Sequence, residues 1–148
     1  MRTILFRGKR IDNDKWVEGS LILLKKRFGT GYYINPISTI YASFGVIPET
    51  VGQFTGLTDK NGVNIFEGNI VRVLYTDWIS KSESDNRTMD QYLIDIASIG
   101  IIKFDFDRYC VSTVNKKYNE EHFENIQPGK YGYIEIIGNI HDNKDLLK

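Results

Sequence analysis

Apolar and polar residues alternate along most of this chain, and the pattern is clearest between residues 46 and 75. Three alternating runs there are separated by two turns, Asn61-Gly62 and Glu67-Gly68-Asn69. Asn and Gly tolerate the positive φ angles that tight hairpins need, so these turns suit connections between antiparallel strands. The pattern predicts a β-meander with one buried face, whose strands cover residues 50–57, 63–66 and 70–75.

Two glycines interrupt the first strand of this meander. Gly52 and Gly56 lie on the same face, because successive side chains of a strand point to opposite sides. A glycine inside a strand often marks a bend, a bulge or the close approach of another backbone. We expect such an irregularity in this strand.

The rest of the chain also favours short strands separated by turns. Asp12-Asn13-Asp14 and residues 105–108 have the composition of turns. Residues 118–126 have the spacing of one or two helical turns, and a final turn contains Leu146 and Leu147. Further strands are expected at residues 3–7, 16–24, 32–36, 100–114 and 131–140.

Residues 76–98 form a long polar stretch between predicted strands, and residues 80–90 carry almost no large apolar side chain. A segment that buries nothing cannot repay the entropy of ordering it, so we expect a mobile insertion there. The expected fold class is all-β and mainly antiparallel, with an N-terminal β-meander, a small SH3-like barrel and one or two short helical turns. We expect an N-terminal β-rich region at residues 1–58 and the barrel region at residues 59–148, or one continuous domain.

Three blocks of the sequence carry a family resemblance. MRTILFRGKRIDNDKWVEGSLI, PETVGQFTGLTDKNGVNIFEGNIV and IEIIGNIHDNKDLL follow one another at spacings that resemble the YopX family of phage and prophage proteins. The resemblance covers nearly the whole chain, and the polar stretch at residues 76–98 departs from it. It implies a β-rich, YopX-like fold and a phage or prophage accessory role, with no established activity, cofactor or catalytic residues.

Composition supports a folded protein of modest size. The chain has 148 residues, of which 41% are hydrophobic, and nine Tyr and eight Phe favour strands over disorder. No apolar run approaches the length that crosses a membrane, and the first ten residues are too polar for a signal peptide. We expect a cytoplasmic protein of the host cell with no membrane partner. The single cysteine, Cys110, is expected to be a small half-buried residue in a strand.

Charge is balanced overall but unevenly placed. Residues 1–75 hold ten Lys or Arg against six Asp or Glu, whereas residues 76–148 hold nine against thirteen. Together with nearby aromatic residues, the basic N-terminal half suggests a binding surface. Its predicted members are Arg10, Trp16, Lys25, Lys26, Arg27 and Tyr32.

No catalytic motif can be recognised in the sequence. Phosphate-binding glycine loops, Cys/His metal spacings and Gly-x-Ser-x-Gly elbows are all lacking, and the two histidines, His122 and His141, belong to no constellation. We therefore expect no enzymatic activity, no cofactor and no metal. The favoured hypothesis is a non-catalytic interaction module whose partner is an unknown host or phage protein or a second copy of the chain. The alternative is a nucleic-acid-binding β-barrel protein.

Overall fold

The computed structural model describes residues 3–39, 41–79, 92–113, 123–125 and 133–148. The fold is all-β: the described residues form two antiparallel sheets, with only short 3-10 turns besides the strands. This confirms the predicted fold class. The strands of the described residues are β1 Phe6–Lys9, β2 Trp16–Lys26, β3 Gly29–Pro36, β4 Phe44–Gly45, β5 Gly52–Thr58, β6 Asn64–Phe66, β7 Asn69–Ile79, β8 Tyr92–Asp105, β9 Arg108–Thr113, β10 Phe123–Asn125 and β11 Tyr133–Asn139.

The chain divides into two compact units. The first unit consists of Met1–Thr58 and Asn64–Gly68, and the second of Asp59–Val63 and Asn69–Lys148. That residues 1–58 and 59–148 form separate domains stays a prediction. None of the helical segments in the described ranges has the length and apolar character needed to cross a membrane.

The first unit contains a six-stranded sheet in the order β4-β3-β2-β1-β5-β6. Leu5, Phe54 and Phe66 form a buried apolar cluster in this unit, and the two Phe rings lie 5.6 Å apart. The turn between β1 and β2 contains Asp14 at φ 60°, a conformation that Asp adopts more readily than most residues. This agrees with the turn predicted from the Asp12-Asn13-Asp14 sequence.

Both glycines of β5 have the structural roles that the sequence predicted. A Cβ atom at Gly52 would lie 2.6 Å from the carbonyl oxygen of Glu67, so only glycine permits this backbone approach. Gly56 has φ +90°, and the register between β5 and β6 shifts between Phe54 and Thr58. The first glycine therefore marks a close approach and the second a bulge.

The second unit contains a five-stranded sheet in the order β10-β9-β8-β7-β11. Ile70, Val71, Ile102 and Val111 are buried in it. Cys110 lies in β9, as expected, but its side chain is fully buried and not half-buried. The predicted turn at residues 105–108 joins β8 and β9, with Phe106 at φ 51°. The final predicted turn is a 3-10 turn at Lys144–Leu147.

Two predictions for the second unit need correction. Residues 76–79 and 92–98, expected within a mobile insertion, are strand residues paired in the register that runs from Val73↔Ser98 to Ile79↔Tyr92. Residues 80–91 lie outside the described residues. The prediction of helical turns at residues 118–126 is wrong at Phe123–Asn125, which pairs with β9 as strand β10. The other positions of that segment lie outside the described residues. Pairing of β10 with β11 would close a barrel but is not among the pairings of the described residues, so the SH3-like barrel stays a prediction.

Candidate functional site

The long hairpin of the first unit extends beyond its neighbouring strands. β2 pairs with β3 over eight residue pairs, from Gly19↔Pro36 to Lys26↔Gly29. β1 pairs only with the first part of β2, ending at Phe6↔Gly19, and β4 pairs with β3 only at Tyr33 and Ile34. Residues 20–35 are therefore largely a two-stranded arm, here called the β2–β3 ribbon, about 20 Å long.

The charged residues of the ribbon are all basic. Residues 19–48 contain no Asp or Glu, and their only cations are Lys25, Lys26 and Arg27. These three residues and Phe28 form the end of the hairpin and are all exposed, Phe28 with 94% of its surface accessible. We call these four residues the ribbon tip. Without a nearby carboxylate in sequence to neutralise it, this tip carries a concentrated positive charge.

Aromatic rings accompany the cations of the ribbon tip. The Lys26 ammonium donates a hydrogen bond to the Tyr33 hydroxyl and lies 5.1 Å from the centre of its ring. The Arg27 guanidinium lies 5.5 Å from the centre of the Phe28 ring. Such cation–π contacts restrict the long side chains while their charged ends stay in water. The tip therefore offers positive charge and apolar area together.

Arg10 and Trp16, two of the residues predicted to bind, lie at the opposite end of β2. Trp16 and Lys26 are the first and last residues of this strand, about 33 Å apart at the usual rise per residue. The Trp16 ring is contacted by the Arg7 guanidinium at 4.8 Å and by the Lys9 ammonium at 5.9 Å. The predicted residues thus form two separate groups within the first unit.

Arg10 already interacts with groups of its own unit. Its Nε donates to Oδ1 of Asp12 at 2.9 Å, and its guanidinium lies 3.8 Å from the centre of the Phe44 ring. The hydrogen bond from Arg10 is the main reason that the pKa of Asp12 is lowered. Of the predicted residues, Lys25, Lys26 and Arg27 belong to the ribbon tip, and Tyr32 lies near it, facing Leu23 across the ribbon.

The sequence analysis missed three exposed side chains that complete this surface. Leu23 and Leu24 are 55% and 48% exposed, and Phe28 is almost fully exposed. Alternation in β2 places the two leucines on opposite faces of the ribbon. A usable signal was present, since four consecutive apolar residues, Leu21-Ile22-Leu23-Leu24, do not fit a strand with one solvated face.

The second unit contains a different polar cluster, around the turn Asp59–Val63, here called the Asp59 turn. Asp59 is only 8% exposed. Its carboxylate accepts hydrogen bonds from the backbone N–H groups of Asn61 at 2.8 Å, Val63 at 2.9 Å and Ile136 at 3.3 Å. Burial raises the pKa of Asp59, but the three backbone donors outweigh it and the net pKa is lowered.

Strand β11 is tied to this turn by further bonds. The N–H of Lys60 donates to the carbonyl oxygen of Ile134 at 2.9 Å, and its ammonium lies 3.0 Å from the Glu135 carboxylate. Arg72 reaches the same carboxylate at 3.3 Å. Each charged group here is used within the unit, so we interpret the Asp59 turn as a structural element. Among the described residues, no group of three or more His, Cys, Asp or Glu side chains could hold a metal ion.

The comparisons with known proteins agree with this fold. The structure defines an all-β chain of two antiparallel sheets, and a family model for the YopX protein matches residues 5–148. This chain belongs to the YopX family, as its sequence blocks indicated. It is similar over the full length of both chains to the crystal structure of protein EF1440 from Enterococcus faecalis, with 20% identity and a TM-score of 0.50. At that identity the likeness concerns the fold alone. No curated protein matches the chain.

Proposed function

We propose that this chain is a non-catalytic binding protein that contacts an anionic surface of a macromolecular partner through the ribbon tip. The observation that supports this most is the acid-free stretch at residues 19–48, whose three cations are gathered at one exposed turn beside Phe28. Positive charge next to exposed apolar area favours association with a negatively charged partner. As part of the proposal, the protein is a phage or prophage accessory protein of the host cytoplasm, and its partner is a host or phage protein.

The first test is retention on a heparin column, with heparin as a defined polyanion. Because the whole chain has no net charge, retention at neutral pH requires a local basic cluster. The test variant is Lys25→Gln with Lys26→Gln and Arg27→Gln. The matched control is Lys103→Gln with Lys144→Gln and Lys148→Gln, which removes the same charge from three exposed positions of the second unit.

The proposal predicts that the wild type and the control variant elute at similar salt concentrations and that the ribbon-tip variant elutes much earlier. Equal shifts for both variants would mean that retention follows net charge rather than the tip. A wild type that passes through the column unretained at low salt would contradict the proposal directly.

Nucleic-acid binding is the second candidate function, favoured by the aromatic rings beside the cations. Phe28 and Tyr33 could stack on bases while the cations contact phosphates. Three phosphate contacts predict a slope of about −2.7 for the logarithm of duplex affinity against the logarithm of salt concentration. Fluorescence anisotropy with labelled DNA and RNA measures this slope. Retention on heparin without binding to either nucleic acid would favour an acidic protein partner.

A further inference from the structure

In the part of the chain that the structure describes, the β2–β3 ribbon has an open main-chain edge. β1 pairs with β2 only as far as Gly19, and within the described residues no strand pairs with the same edge from Ser20 to Lys26. This edge includes the apolar run Leu21-Ile22-Leu23-Leu24. An exposed apolar edge strand is a template for pairing with another strand, because its outward N–H and C=O groups can continue the ladder.

We propose that the open edge of β2 pairs in antiparallel fashion with the same edge of a second copy of this chain. The two copies would be related by a two-fold axis perpendicular to the sheet, so that the two first-unit sheets become continuous. Such an interface is self-complementary, because wherever residue i of one copy faces residue j of the other, residue j of the first also faces residue i of the second. It rests on the main-chain edge and not on the cations of the ribbon tip, so it stands independently of the proposed function.

Geometry restricts the register of this pairing. Residues that face each other in an antiparallel pair point to the same side of the sheet, so a two-fold axis must bring one residue opposite itself. An axis at Ile22 would place Lys25 opposite Gly19, whose edge β1 already occupies. An axis at Leu24 would leave Ser20 and Leu21 outside the paired β2 segment. The axis at Leu23 alone pairs the whole segment from Ser20 to Lys26.

The charges of the ribbon are compatible with this register. With Leu23 opposite itself, Lys26 faces Ser20 and Lys25 faces Leu21, so no cation lies opposite another cation. The nearest cations across the interface are the two Lys25 residues, which are four positions apart along the paired strands, about 13 Å. This exceeds the Debye length of about 8 Å at physiological salt, so repulsion between the tips is largely screened.

The pairing also covers the exposed apolar side chains of the ribbon. Leu23 meets its own counterpart on one face, where Leu21 faces Lys25, and Ile22 meets Leu24 on the other face. This accounts for an arm whose apolar residues are exposed on both faces, Leu23 by 55% and Leu24 by 48%. The two ribbon tips then project from opposite ends of the joined strands.

Cysteine cross-linking tests the register. The background variant is Cys110→Ser, which removes the single native thiol, and single cysteines are placed at Leu23, Leu24 or Thr30. Facing Cα atoms of an antiparallel pair are about 4.5–5.5 Å apart, within the range that a disulfide bridges. We expect Leu23→Cys to give a disulfide-linked dimer under mild oxidation. Leu24→Cys should link poorly, because Leu24 faces Ile22 in this register, and so should Thr30→Cys, an equally exposed position on β3.

Sedimentation velocity on chains without added cysteines provides a second measurement. Leu23→Lys would place two cations opposite each other on the axis, and we expect the dimer to dissociate about ten-fold more readily. Thr30→Lys carries the same added charge on β3 and should leave the dimer unchanged. Circular dichroism confirms that each variant is folded.

Several outcomes would overturn this inference. They are a wild type that stays monomeric throughout the concentration series, equal cross-linking at Leu23 and Thr30, or stronger cross-linking at Leu24 than at Leu23. The triple glutamine variant of the ribbon tip separates this inference from the proposed function. It should lose retention on heparin and still form the dimer.

Discussion

The Asp59 turn and the ribbon tip use charged side chains in opposite ways. In the Asp59 turn, a buried carboxylate accepts three backbone hydrogen bonds. In the ribbon tip, three successive cations are exposed beside an exposed Phe, in a stretch without acidic residues. Both regions are short turns between strands, and both are rich in polar residues. The burial and bonding of each charge therefore distinguish a turn that stabilises the fold from one suited to recognition.

The largest expected effect is on stability, at the Asp59 turn. Asp59→Ala leaves three backbone N–H groups without their acceptor, and we expect it to lower the free energy of unfolding by about 3 kcal/mol. This corresponds to a fall in melting temperature of about 6–12 °C for a chain of this size. The control is Asp107→Ala, because the side chain of Asp107 is 74% exposed and accepts a hydrogen bond from its neighbour Arg108 at the β8–β9 turn. Urea and thermal unfolding that show equal losses for the two variants would refute the structural role of Asp59.

The stabilisation by Asp59 should also depend on pH. Its pKa in the folded protein lies below the ordinary value of 3.8, so the folded state favours the ionised carboxylate. The contribution is complete above that ordinary value and is lost as the pH falls through the lower folded pKa. The stability difference between the wild type and Asp59→Ala should therefore be constant near neutral pH and shrink below about pH 4. A difference that instead grows on acidification would show that the pKa is raised.

The ribbon tip should behave in the converse manner. Neutralising Lys25, Lys26 and Arg27 should change the free energy of unfolding by no more than about 0.5 kcal/mol, because the three side chains are exposed. The same variant should lose most of its retention on heparin. Asp59→Ala, measured at a temperature where it is folded, should keep its retention. Urea unfolding and heparin chromatography of both variants measure the two properties. A variant that lost both stability and heparin retention would contradict the comparison.

The smallest effect distinguishes two exposed phenylalanines. Phe28 at the ribbon tip and Phe106 at the β8–β9 turn are 94% and 96% exposed, so neither contributes much to folding. Only Phe28 lies next to a basic cluster, whereas Phe106 lies between Asp105 and Asp107. Phe28→Ala should weaken polyanion binding by a few-fold, consistent with about 1 kcal/mol for a ring contact. Phe106→Ala should leave binding unchanged, and equal losses would place the contact elsewhere.

Much of the fold could be predicted because local chemistry determines its turns. Gly62 and Gly68 adopt φ angles of +79° and +75°, as the two turns of the meander require. Gly52 and Gly56 mark the expected close approach and bulge. In these places the sequence within a few residues decides the backbone conformation, and no distant contact is needed.

The remaining features depend on contacts between distant parts of the chain. Residues 76–79 look like the start of a polar loop because they lead into the polar run at residues 80–90, but they pair with residues 92–95 across a long hairpin. The segments TDWI and YLID do carry apolar residues, and the long polar run between them hid this signal. In the sequence Asp59 looks like an ordinary turn residue. Its structural role depends on the bond from the Ile136 amide, which joins residues 77 positions apart and leaves no local pattern. Arg10 looks available for binding, but the ring of Phe44 lies against it. The cations of the ribbon tip could be predicted because consecutive charges at a hairpin end are exposed.

A residue-resolved titration tests the central comparison most directly. Two-dimensional 1H–15N NMR spectra recorded during titration with a short heparin oligosaccharide report on every backbone amide at once. The account predicts that the amide signals of residues 25–33 shift with saturation, while those of residues 59–63 stay fixed. Shifts centred on residues 59–63 or on the β8–β9 turn, with the signals of residues 25–33 unchanged, would contradict it.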